Sequence, residues 1–189
     1  KDVDLWFFHE PKAGDYDRDR KVLHRLQLSS TDGPRDVESV AWDPASDMLL
    51  LLSKRNTPPR LYGIPLQDAL REKHLVAEFL AEVPGFRPPT QVDFLVNPMR
   101  GFWVSQPTGL DISPDGRTAA VITYRSLYLF RRDEGETWAQ AFRKKPEECI
   151  GPPGFHDEAV CFSLDGKSVY VTTEGRPAPL HRLDLPDSR

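Results

Sequence analysis

Three stretches of this chain repeat one pattern: residues 36–65 (DVESVAWDPASDMLLLLSKRNTPPRLYGIP), 106–131 (QPTGLDISPDGRTAAVITYRSLYLFR) and 156–184 (HDEAVCFSLDGKSVYVTTEGRPAPLHRLD). Each holds an alternating apolar strand, a tight turn, a second apolar strand, a short connection and a third strand. Pro44, Pro114 and Leu164 fall at equivalent points, so the repeats lie 70 and 50 residues apart. A period of about 40–50 residues with several strands per unit is what the blades of a β-propeller impose. The longer interval fits the same unit plus an insertion.

The remaining segments fill in around these repeats. Residues 4–9 (DLWFFH) and 22–28 (VLHRLQL) are strand candidates, 67–73 has helical composition, and 74–82 supplies a fourth strand to the first repeat. Residues 137–143 read as an outer strand or a short helix of the second. The expected organisation of 1–189 is one propeller domain or part of one: two N-terminal strands of a partial blade in 1–30, a blade in 36–83, a Pro- and aromatic-rich insertion in 84–105, a blade in 106–149, and a blade lacking its outer strand in 155–187. The expected fold class is thus an all-β propeller of four-stranded antiparallel blades. A propeller needs about four blades at the least, and natural proteins avoid bare sheet edges. The chain therefore reads as an incomplete propeller, its missing blades coming from a preceding segment or another chain. Val40, Trp42, Leu110, Ile112, Val160 and Phe162 are expected on buried inner strands. The insertion holds Phe86, Phe94, Phe102 and Trp103 among four prolines. Disordered segments are poor in aromatic rings, so an ordered cap is expected.

Composition narrows the partners. The net charge of −4 and pI of about 5.8 lack the basic footprint of a nucleic-acid binder, and no run approaches the roughly 18–20 apolar residues of a membrane span. The expected partner is a protein or a small-molecule ligand. Cys149 and Cys161 are the only cysteines; they fall on different repeats and are expected as free thiols. No signal peptide is present, and the chain opens on Lys1 and enters a strand at once. It reads as a processed or trimmed product, which fits a bacterial periplasmic or extracellular protein that has lost an N-terminal segment.

Ser113-Pro114-Asp115-Gly116-Arg117, followed by a strand at 118–123, resembles the PD40 or TolB-like propeller repeat, in which an S-P-D-G turn joins the first two strands of a blade. Ser163-Leu164-Asp165-Gly166-Lys167 matches with Leu for Pro, and Asp43-Pro44-Ala45-Ser46-Asp47 keeps Pro but loses Gly. The lines VESVAWDPASDMLLLLSKR and ISPDGRTAAVITYRSLYLF are also similar to a group of uncharacterised bacterial propeller proteins. The resemblance implies a fold and is nearly silent on activity. The turn has its own physical reason, since Gly accepts a positive φ and Asp tolerates it.

Aligning the repeats on Val40, Leu110 and Val160 brings Glu38, Thr108 and Glu158 into register. They are preceded by Asp36-Val37, Gln106-Pro107 and His156-Asp157. Residues leading into the inner strands of a propeller face the channel mouth, so these groups are expected to converge there. Glu38, Glu158, Asp157 and His156 are the candidate metal ligands, because clustered oxygens with one imidazole suit Ca²⁺ or Mg²⁺. Asp36, Thr108, Phe102 and Trp103 are the candidate ligand-binding residues. Alternatively, the carboxylates bond amides of the neighbouring blade and fix its packing. Asp15-Tyr16-Asp17-Arg18-Asp19 has the alternating carboxylates of a calcium loop but lacks its glycine and its bidentate glutamate, and reads as a charged hairpin. Lys54, Arg55, Arg125 and Arg176 end second strands or follow them; they are expected on the opposite face, as an anion ring or a solvated rim.

No nucleophile elbow, phosphate-binding loop, dinucleotide fingerprint or zinc pair occurs. The function expected is a non-catalytic scaffold or binding module without a cofactor. The alternative is a Ca²⁺- or Mg²⁺-dependent hydrolase of the lactonase or phytase-like esterase type, an analogy at the level of fold.

Overall fold

The computed structural model describes residues 3–12, 14, 19–99, 101–150, 157–175 and 177–185, without the side chains of Ile150 and Asp157. The first repeat forms β3 (Val37–Asp43), β4 (Met48–Ser53), β5 (Arg60–Pro65) and, after the short helix α1 (Leu66–Arg71), β6 (His74–Glu82). The N-terminal hairpin, β1 (Val3–Phe8) with β2 (Val22–Ser30), joins the same sheet, whose order is β1-β2-β6-β5-β4-β3. Within it β2 runs parallel to β6, and every other pair is antiparallel. The second repeat forms β7 (Pro107–Ile112), β8 (Thr118–Thr123), β9 (Ser126–Arg131) and β10 (Glu147–Ile150), an antiparallel sheet in that order. The third forms β11 (Asp157–Phe162), β12 (Ser168–Thr173) and β13 (Leu180–Asp184). The insertion carries α2 (Gln91–Val96) and a 3₁₀ turn at Gly101–Trp103. Residues 137–143 differ from a strand: Thr137 caps the short helix α3 (Trp138–Ala141), accepting a bond from Gln140 N, and the fourth strand follows at β10.

The sheets stack through their faces, with β7 beside both β3 and β11. This explains why β4 (MLLLLS) and β8 (TAAVIT) are apolar throughout rather than alternating. Leu50 and Leu52 of β4 meet Ala119 and Val121 of β8, with Tyr128, Phe130 and Phe142 filling the same layer. Leu49 and Leu51 turn the other way and pack under Leu26 and Leu28 of β2. Ala120 and Ile122 of β8 face Val169 and Val171 of β12. A strand covered on both faces loses the period of two that one wet face would impose.

The six-stranded sheet curls back on itself, so that Leu5 and Phe7 of the N-terminal hairpin pack against the layer built on Leu49, Leu51, Tyr62 and Ile64. The hairpin reaches Val37 at the start of β3 and leaves the later residues of that face bare. Val40 is 43% exposed and Trp42 50%, against the expectation that both are buried, while Leu110 and Ile112 are buried and Val160 and Phe162 only partly so. The alternation in β3 is correct, but its covered residues are Ser39, Ala41 and Asp43, facing the second sheet.

The turns keep their chemistry. Gly116 and Gly166 sit at φ +67° and +69°, and Asp115 and Asp165 each accept bonds from the serine two residues before and the amide two residues after. In the first repeat the positive φ passes to Asp47 at +52°. Cys149 and Cys161 are free. Among the described residues no helix is long and apolar enough to cross a membrane.

Candidate functional site

In an antiparallel pair, the end of the second strand lies beside the start of the first. Val37 pairs with Ser53, Pro107 with Thr123 and Asp157 with Thr173. The cationic ends, Lys54-Arg55 and Tyr124-Arg125, therefore stand at the same mouth as Asp36, Glu38 and Glu158. For Lys54, Arg55 and Arg125 the expectation of the opposite face is corrected by this register, and each of the three has a carboxylate partner. Lys54 is paired with Glu38, Arg55 with Asp36, and Arg125 with Asp93. Arg176 and His156 lie outside the described residues, as do 15–18 of the acidic loop; of Asp157 the backbone alone is described.

Glu38 and Glu158 do meet in one network, through two side chains that the alignment did not single out as partners. The buried Lys54 Nζ donates to Glu38 Oε2 and, at 2.8 Å, to the Tyr124 hydroxyl. That hydroxyl donates to Glu158 Oε1 at 3.0 Å. Burial alone would lower the Lys54 ammonium; the Glu38 carboxylate and the Tyr124 hydroxyl outweigh it and hold the lysine above its ordinary value. Burial, with the charges of Glu174 and Glu38, raises the Glu158 carboxyl against the bond from Tyr124 and the charge of Lys54. The signal for Lys54 and Tyr124 was in the sequence: both directly follow a second strand. Thr108 is buried and donates to Ile122 O at 3.3 Å, a bond within its own sheet. Among the described residues no three His, Cys, Asp or Glu side chains group as metal ligands.

Beside this network the insertion folds down onto the second sheet. Phe86 meets Tyr128 and Phe130 edge to face, with ring centroids 4.9 and 5.7 Å away. Arg125 is the clasp. Its Nη1 donates to Asp93 Oδ2 at 2.8 Å, and its Nη2 reaches Arg87 O at 2.6 Å and Ser105 Oγ at 2.7 Å. Asp93 in turn accepts from Thr90 N and Oγ1 ahead of α2, both at 2.6 Å. Gly101 passes so close to α2 that a Cβ there would stand 2.7 Å from Asp93 O. Phe94 and Phe102 stay exposed and Trp103 is partly so.

Arg125→Ala would strand the mostly buried Asp93 carboxylate and remove the bonds to Arg87 O, Pro88 O and Ser105 Oγ. The substitution is expected to destabilise the protein by about 3 kcal/mol and to make the 85–101 stretch the first site of cleavage in limited proteolysis. Unchanged cleavage would show that Arg125 does not hold the segment.

Between the clasped insertion and the β4–β5 connection lies a cleft of about 780 Å³. Its walls include Phe86, Phe102, Trp103 and several prolines, and its polar edge includes Lys54, Arg55 and Gln106. Its volume falls within the range of small-molecule clefts. At the far end of the strands, a smaller polar cleft of about 300 Å³ lies between the Ser113–Arg117 and Ser163–Lys167 turns.

No family model matches the chain, and no curated protein matches it. Among solved structures it is similar to hydrazine synthase of Kuenenia stuttgartiensis, with 16% identity and a TM-score of 0.49, covering 87% of this chain and 37% of that one. It is also similar to a 6-phosphogluconolactonase-like protein of Bacteroides uniformis, with 15% identity and a TM-score of 0.51, covering 87% and 43%. The chain spans less than half the length of either. The second likeness is one of fold, and together with the three stacked sheets it makes this a propeller-like all-β chain.

Proposed function

We propose that the chain is part of a PD40 or TolB-like propeller built of four-stranded blades, and that it acts as a non-catalytic binding module whose ligand enters the cleft beneath the 84–105 segment. The observation that supports this is the cleft itself: an aromatic and proline wall held in place by the Arg125 clasp, beside a polar mouth. The exposed Val40 and Trp42 on the uncovered face of β3 support the further reading that more blades pack there, from a preceding segment or another chain. A metal-dependent hydrolase is less well supported, because Lys54 already neutralises Glu38 and orients Tyr124 toward Glu158.

Ligand-observed NMR with a set of small ring-bearing compounds tests the binding reading. Saturation transfer is expected for a subset and should vanish in Phe102→Ala, because a half-exposed ring can be removed without unfolding the protein. Transfer that persists unchanged in Phe102→Ala would place binding elsewhere.

A further inference from the structure

We infer that the cleft selects a planar, ring-bearing organic acid, with its carboxylate on Arg55 and its ring against Phe102. This rests on the binding reading above and adds the ligand's chemical class.

The charged groups on the cleft wall are of one sign. Lys54 and Arg55 bring N–H donors alone, Asn56, Thr57, Ser105 and Gln106 can donate or accept, and among the described residues no Asp or Glu lines the cleft. The carboxylates of Glu38 and Asp36 act as counter-ions to these cations from outside the lining. The charged groups of that edge are thus cationic, and a ligand that meets them needs an acceptor there.

Arg55 is the group best placed to meet it. Its side chain is 64% exposed, and Asp36 takes the bond from its Nε. A guanidinium fixed through Nε still carries the N–H groups of its two terminal nitrogens in a planar fork, which matches a carboxylate. Lys54 is less free to rearrange, since its ammonium already serves Glu38 and Tyr124.

The opposite wall dictates the rest of the ligand. Phe102 is 50% exposed, and Trp103 braces it edge to face at a centroid distance of 5.0 Å. A braced, half-exposed ring offers one flat surface for another ring to lie on. Proline neighbours add apolar contact that moves little. A cleft of about 780 Å³ admits a body of one or two fused rings.

Calorimetric titration with indole-3-acetate and indole-3-acetamide tests the inference, since the two differ in charge and hardly in shape. The acid is expected to bind about tenfold tighter than the amide, as charge-assisted hydrogen bonds outweigh neutral ones. Added salt should weaken the acid alone. Arg55→Gln should bring the acid's affinity to that of the amide and leave the amide unchanged. Equal binding of acid and amide to the wild type, or a preference that survives Arg55→Gln, would overturn the inference and leave the cleft as a binding site. Binding of neither compound would overturn both.

Discussion

Phe130→Ala is expected to lower the unfolding free energy by about 3–5 kcal/mol, the range for emptying a filled aromatic site. Phe130 is 1% exposed and lies in the layer between the first and second sheets. Its ring stands 4.5 Å from Phe142 and 5.7 Å from Phe86, so the cavity would open under the insertion as well as between the sheets. A shift of the urea midpoint with an unchanged slope would report this as lost stability. Trp42→Ala is the matched control. Trp42 is half exposed, and a much smaller loss is expected there despite its greater volume. Equal losses at the two sites would mean that the packing of β3 is not as described.

The second large effect is expected at Asp43. Its side chain is fully buried, at the end of β3, and accepts from Ser46 Oγ at 2.6 Å, Ala45 N at 3.2 Å and Arg132 Nη1 at 3.0 Å. Arg132 follows β9 and also donates to Gly116 O, so this one pair ties the first sheet to the second. Its guanidinium lies 4.3 Å above the Trp138 ring. Asp43→Ala leaves that cation without its partner, and a loss of about 3–5 kcal/mol is expected.

A pH dependence goes with it. Burial would raise the Asp43 carboxyl, but the bonds from Ser46 and Ala45 and the charge of Arg132 together hold it below its ordinary value. A carboxyl with a depressed folded pKa contributes stability above its unfolded pKa, about 3.9, and loses it as pH falls through the folded value. Asp43→Asn should therefore flatten the acid arm of the stability curve below about pH 4. An acid arm identical to wild type would remove Asp43 from the account.

Much of the fold is legible in the sequence because its causes are local. The D-G turns need residues that accept positive φ, and Asp115-Gly116 and Asp165-Gly166 stand where those turns form. The runs MLLLLS and TAAVIT mark strands covered on both faces, whatever covers them. What covers them is a long-range matter. Alternation in VESVAWD separates two faces but does not say which one meets the second sheet, and Trp42 is the larger ring on the face left bare. The seat of the N-terminal hairpin is hidden for the same reason, since β2 joins β6 across more than forty residues.

The site is legible by halves. Glu38 and Glu158 were in register, and antiparallel pairing alone would have put Lys54 and Tyr124 beside them. That Arg125 closes on Asp93 is not legible, because it depends on how 84–105 folds back and no periodicity governs that segment.

The most direct measurement of the central claim, that ligand binding belongs to the cleft beneath the insertion, is amide chemical-shift mapping of the labelled protein with indole-3-acetate. The account predicts shifts at Arg55, Asn56, Thr57, Phe102, Trp103 and Gln106, which line that cleft. Shifts confined to the Ser113–Arg117 and Ser163–Lys167 turns, at the far end of the strands, would contradict it.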